Sequence, residues 1–207
     1  MSELTHWNER FSGPEYLFGT EPNAFLKSQA HRLRKGQTAL SIADGEGRNG
    51  VFLAAHGLDV HSVDFSPVAL AKARALASAR GVTLRFEQAD VLNWAWPTAQ
   101  FDLVVAIFVQ FATAAERPRF FAGMKQALKP GGLLLMQAYR PEQLRYATGG
   151  PKDVTQLYTR ALLEEAFSDF AALDIREHDA ALEEGRRHVG MSALIDFVGT
   201  KSDVLPL

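Results

Sequence analysis

Cysteine does not occur in these 207 residues, which excludes a disulfide scaffold, thiolate catalysis and a cysteine-built zinc site together. That absence fits a reducing compartment, and a cytoplasmic protein is expected. Excess charge of either sign is missing too, since 22 Lys and Arg against 24 Asp and Glu leave a formal charge of −2. A chain so balanced has no general attraction to phosphate backbones or anionic lipids, so neither nucleic acid nor membrane is expected as a partner. No run approaches the roughly 20 apolar residues of a membrane span. The stretch 1–10 is polar with mixed charge, unlike a secretory leader. None of the six histidines has a partner at metal-binding helical spacing such as H-E-x-x-H, so no metal is assigned.

What the chain does have is apolar substance, 47% of it, at a length that suits one α/β domain. Strand-length apolar runs recur at Thr38–Ala43, Asp59–Val63, Thr83–Glu87, Phe101–Phe108 and Gly132–Ala138. The Leu/Ile/Val character of most of them suits parallel strands covered on both faces. Helical patterns lie between, at Gly50–His56, Ser66–Arg80 with Pro67 in the first turn, and Ala115–Leu128. Strand then helix in repetition predicts right-handed βαβ units and a doubly wound, Rossmann-like sheet. Beyond a helix at Arg160–Phe167, two strands at Ala171–His178 and Met191–Gly199 flank the charged stretch Glu183–His188 and predict an antiparallel hairpin. The segment Tyr146–Thr155, with Gly149-Gly150-Pro151, reads as a connection that could serve as a lid.

The chemistry concentrates after the first strand. Asp44-Gly45-Glu46-Gly47-Arg48-Asn49-Gly50 places glycines in a tight turn that opens a helix. Glycine lets the backbone approach a ligand, and the helix N-terminus offers free N–H groups. Asp64, about 20 residues beyond Gly45, ends the second strand, where a carboxylate can accept both ribose hydroxyls. These features suit an adenosine-type ligand without choosing between a nicotinamide dinucleotide and S-adenosylmethionine.

The segment Leu40–Ala54 resembles motif I of class I S-adenosylmethionine-dependent methyltransferases, particularly the small bacterial tellurite-resistance and thiopurine methyltransferase-like group. Val63-Asp64, Gln88-Ala89-Asp90-Val91 and Leu128-Lys129-Pro130-Gly131-Gly132-Leu133 agree with the same family. The resemblance implies a mostly parallel seven-stranded sheet closed by the C-terminal antiparallel hairpin. It implies S-adenosylmethionine as cofactor, held by Asp44, Gly45, Gly47, Arg48, Asn49, Asp64, Phe65, Ala89, Asp90 and Val91. Two positions depart from it: Ser41 stands where the family often has an acidic residue, and Ala43 where it has glycine. The stretch Trp7–Asn23 resembles the segment such enzymes fold over cofactor and acceptor. On that likeness residues 1–36 form a lid, 37–207 the core, and Phe11, Tyr16 and Phe18 wall the acceptor pocket; the alternative is that these aromatics only anchor a terminus. His188, Arg140 and Tyr139 are the candidate catalytic groups and Arg187 a further acceptor contact, by their position at strand and hairpin ends. A small-molecule acceptor is expected, a thiol or a selenium or tellurium species, on a monomer or homodimer. A non-catalytic S-adenosylmethionine-binding protein and an NAD-dependent oxidoreductase are the rival readings.

Overall fold

The computed structural model describes residues 2–203 except Ala147. One sheet of seven strands runs β1 (Thr38–Ile42), β2 (Asp59–Asp64), β3 (Arg85–Gln88), β4 (Phe101–Ile107), β5 (Leu128–Tyr139), β6 (Phe170–Glu184) and β7 (His188–Lys201). Their spatial order is β3-β2-β1-β4-β5-β7-β6. The first five pair in parallel, while β7 runs antiparallel to both β5 and β6. Helices α1 (Glu3–Phe11), α2 (Ala24–Ser28), α3 (Arg48–Ala55), α4 (Pro67–Ala79), α5 (Arg117–Ala127) and α6 (Arg160–Ala166) complete the domain.

The parallel strands are apolar throughout because both faces are covered: β4 buries every residue but Asp102, and two core clusters lie on opposite sides of the sheet. Local signals set the helix starts. Ser66 caps α4 by accepting from Ala69 N–H, with Pro67 at the first helical position. Among the described residues no helix is long and apolar enough to cross a membrane.

Two readings of the sequence are corrected. The hairpin strands extend to Glu184 and from His188, so the charged stretch supplies strand ends and only Gly185-Arg186-Arg187 turns the chain. Backbone pairing carries the ladder further than apolar alternation reveals, because β6 is largely exposed and has no hydrophobic pattern to read. Likewise β5 begins at Leu128, and Pro130-Gly131 lies within it where the register with β4 shifts. Of the predicted loop 146–155, position 147 falls outside the described residues, as do 204–207 of the predicted core.

The order places the reversal of winding between β1 and β4. Connections leave a sheet in opposite directions there, and a crevice opens at the carboxyl ends of the strands. The glycine turn, Asp64 and Phe108 all follow or end strands at that point.

Candidate active site at the carboxyl ends of β1, β2 and β4

The turn after β1 is built around Asp44. Its Oδ1 accepts from Ser41 Oγ at 2.8 Å, its Oδ2 from Ser62 Oγ at 2.8 Å, and both face Gly50 N–H at 3.2 Å. A buried carboxylate thus stands directly beside Ser41. Burial raises the Asp44 carboxyl to about 6 despite those hydrogen bonds. Gly47 adopts φ +88°, and a Cβ there would meet Ala73 Cβ at 2.7 Å, so the α3–α4 contact demands glycine. Ala43 has φ +48° without that freedom. Replacing Ala43 with glycine should therefore stabilise the fold by roughly 0.5–1 kcal/mol, the left-handed strain less the added chain entropy. A urea midpoint that fails to rise would refute the strain.

Asp64 Oδ2 accepts from Gly45 N–H at 2.8 Å and Oδ1 from Ser66 N–H at 2.9 Å, binding β2 to the glycine turn. Burial raises its carboxyl as well. Each oxygen keeps an unused lone pair. Phe65 is half-buried beside it, Ala89 N–H donates to Asp64 C=O, and Val91 is in the core. Asp90 is exposed and caps its own turn through Leu92 N–H and Asn93 Nδ2.

The segment 11–23 is strapped across this corner. Phe11 packs on Gly45, Leu17 N–H donates to Glu46 Oε2 at 2.6 Å, and Arg48 donates to Phe18 C=O. Lys72 binds Glu46 and donates to the carbonyls of Gly13 and Glu15, stapling the strap to α4. Tyr16 lies on the α4 side, its hydroxyl on Lys72 C=O and its ring against the Val51–Leu76 cluster. The far end is fixed by buried amides: Asn23 N–H donates to Asn49 Oδ1, and Asn23 Nδ2 donates to Gln137 Oε1 at 2.7 Å and to Glu184 Oε1 at 3.0 Å. A small crevice of about 20 Å³ remains between Phe18, Gly19, Asp44, Glu46 and Arg48. Its lining joins two carboxylates, the Arg48 guanidinium and an aromatic ring. A larger groove between α5 and α6, lined by Arg117, Phe121 and Glu165, lies away from these strand ends.

On the other side of Phe18 lies His188. Its ring is 4.5 Å from Phe18 and 4.5 Å from Phe108, centroid to centroid, and Tyr139 stacks on Phe108 at 4.6 Å. Phe108 is held at φ +55°, a strained backbone for an aromatic residue directly after β4. The Tyr139 hydroxyl is buried without a hydrogen-bond partner, and burial pushes its pKa up. Glu184 Oε2 binds Arg48 at 2.7 Å and lies 3.5 Å from His188 Nδ1. Burial alone would raise the Glu184 carboxyl, but His188 and Arg48 beside it hold it down at about 2. Burial, with Arg48 and Arg10 nearby, lowers the pKa of His188 although Glu184 opposes this, which favours the neutral imidazole.

The structure brings Phe11, Phe18, Tyr139 and His188 to one corner with Asp44, Gly45, Gly47, Arg48, Asn49 and Asp64. It holds Arg140 apart, between Asp179 and Glu142, and leaves Arg187 exposed on the hairpin turn. Sequence reasoning missed Phe108, counted as strand, and Glu184, counted as a loop charge. It also missed Asn23 and Gln137, whose amides gain meaning only when the strap meets β5.

Residues 39–132 match the family model described as a methyltransferase domain. The chain is similar to a demethylmenaquinone methyltransferase of Thermus thermophilus, 36% identical over 104 residues that cover 49% of this chain and 47% of that protein. The chain thus spans about half the length of the curated relatives it matches. Among solved structures it resembles a protein of echinomycin biosynthesis, with a TM-score of 0.72 at 18% identity over 98% of this chain and 91% of the other. A S-adenosylmethionine-dependent methyltransferase of Methanosarcina mazei gives 0.69 at 17% identity, over 88% of this chain and 99% of the other. At such identities the likeness is one of fold.

Proposed function

We propose that this chain, with the fold of class I S-adenosylmethionine-dependent methyltransferases and a methyltransferase domain at 39–132, transfers a methyl group from S-adenosylmethionine to a small-molecule acceptor. The observation that carries the reading is the glycine turn between β1 and α3 with Asp64 ending the adjacent strand, at the reversal point of this sheet order. The residues fit the cofactor. Asp64 keeps lone pairs for the ribose hydroxyls, the backbone of Gly45 and Gly47 admits close approach, and Asp44 and Glu46 with Arg48 line a crevice whose mixed charge suits the ammonium and carboxylate of the methionine end. Phe65, Ala89, Asp90 and Val91 border the adenine side. Phe11 over Gly45 must move aside for the cofactor to enter, so the segment within 1–36 acts as the lid and 37–207 as the core.

When bound, the cofactor supplies an electrophilic methyl group on a sulfonium. Phe18 and Phe108 exclude water from the acceptor, the unpartnered Tyr139 hydroxyl donates a hydrogen bond that orients it, and neutral His188 takes the proton it gives up. Aromatic rings offer sulfur–aromatic contacts to a polarisable acceptor, which favours a thiol or a reduced selenium or tellurium species.

Calorimetry with S-adenosylhomocysteine and NAD in parallel tests the cofactor assignment. We expect binding of the first alone, weakened by about 1–3 kcal/mol in Asp64→Ala, the scale of lost hydrogen bonds to a charged group. Binding of NAD alone overturns the reading, and unchanged affinity in the variant removes Asp64 from the site.

A further inference from the structure

Two guanidinium groups beside the aromatic cage have no carboxylate. Among the described residues neither Arg10 nor Arg187 takes part in an ion pair, whereas the other basic side chains around the strap do: Arg48 with Glu184, Lys72 with Glu46, and Arg186 with Glu15. Arg10 is not simply a solvated charge. It lies over the Trp7 ring at 4.4 Å, Trp7 stacks on Phe11 at 5.4 Å, and Phe11 meets Phe18, the ring that covers His188. Its Nε is buried with no hydrogen-bond partner. A buried donor left without an acceptor costs free energy that a ligand can return. Arg187 precedes His188 in the chain, at the hairpin turn where Gly185 packs against Phe18 and Gly19.

We propose that Arg10 and Arg187 form an anion subsite at the mouth of the cage, so that the methyl acceptor carries a carboxylate or other oxyanion at the end remote from His188. The placement is economical in charge. One arginine comes from the lid helix and one from the hairpin, so an anionic group bridging them would draw the two covering elements together over the site. Both positions converge on Phe18: Arg186 N–H donates to Leu17 C=O and His188 packs on the Phe18 ring, which places Arg187 between them, while Phe11, the residue after Arg10, meets the same ring. In keeping with this, burial and then repulsion from Arg187 lower the Arg10 pKa. An anion between them relieves that repulsion. Guanidinium is the side chain suited to this task, because its planar fork meets a carboxylate or oxyanion with two parallel hydrogen bonds. The proposal rests on the methyl-transfer reading for the identity of the ligand.

The test uses the full chain loaded with S-adenosylhomocysteine, titrated with sodium sulfate and with sodium acetate against sodium chloride of matched ionic strength. Binding is followed by calorimetry and by the NMR titration of the His188 imidazole, which is faced by Arg10, Arg48 and Glu184. We expect saturable binding of sulfate or acetate and a rise in the His188 pKa, since an anion offsets the arginines. In Arg10→Gln/Arg187→Gln the anion affinity should fall at least about tenfold and the rise disappear, with S-adenosylhomocysteine affinity retained. The preferred ion distinguishes a carboxylate-bearing acceptor from an oxyanion. Sulfate and acetate behaving as chloride does, or an unchanged response in the double variant, overturns the subsite. Failure of S-adenosylhomocysteine to bind the parent protein instead overturns the methyltransferase reading, and the two failures are read independently.

Discussion

Replacing Glu184 with alanine is expected to cost about 3–5 kcal/mol of stability, the scale of leaving a buried charge without its partner. Arg48 is the stranded charge. Its side chain is 8% exposed and its ion-pair partner among the described residues is Glu184, itself 9% exposed. The loss reaches further than one pair, because Glu184 Oε1 also accepts from Asn23 Nδ2 and Ala24 N–H. The same carboxylate therefore joins the hairpin, the glycine-turn helix and the end of the strap. Urea denaturation of the variant measures the cost, and a change under about 1 kcal/mol would show the pair to be of little consequence. Pairing Glu184→Leu with Arg48→Met should recover most of the stability, since a matched apolar pair removes both desolvated charges. The pH dependence has a definite sign. The folded-state pKa of about 2 lies below the unfolded value near 4.5, so the carboxylate's contribution is fully present above pH 4.5 and is lost as the pH falls through 2. That contribution is about 3 kcal/mol, and it should be absent from the pH profile of the alanine variant.

His188→Asn should lower turnover with an acceptor methylated by the parent protein by about 10²–10⁴, the usual range for a positioned general base. Affinity for S-adenosylhomocysteine should stay within about threefold, because no atom of His188 lines the carboxylate cavity beside the glycine turn. The pH profile provides the sharper reading. Only the neutral imidazole can accept a proton, and burial with Arg48 and Arg10 nearby lowers its pKa. The acid limb of kcat/KM, which reports the protein before the acceptor binds, should accordingly fall below the ordinary histidine value of about 6.5, and in the variant that limb should vanish. Retained turnover with an unaltered pH profile would reduce His188 to a packing residue in the aromatic cage. Loss of cofactor affinity as large as the loss of turnover would assign it to lid closure instead.

The contrast between these two residues shows how far the sequence could be read. His188 was visible as a titratable group in a charged stretch, but nothing in that stretch indicated that Phe18, 170 positions earlier, and Phe108 would enclose it. Glu184 reads in sequence as an ordinary solvated acid at a hairpin, and only the meeting of β6 with α3 and the strap buries it. Tyr16 and Phe18 are two residues apart and looked equivalent in sequence. In the structure Tyr16 anchors on α4 while Phe18 faces His188.

By itself the sequence determined what depends on neighbours along the chain. The apolar runs of the parallel strands, the serine cap of α4, the glycine turn after β1 and the carboxylate ending β2 are local matters of burial, capping and backbone freedom. Tertiary structure alone decided the burial of Asp44 between Ser41 and Ser62, the Arg48–Glu184 pair, the amide chain through Asn23 and Gln137, and the cage around His188. Each joins segments separated by tens of residues, apart from the three-residue link between Ser41 and Asp44. Their free energy comes from desolvating groups that are fully hydrated until the sheet brings them together.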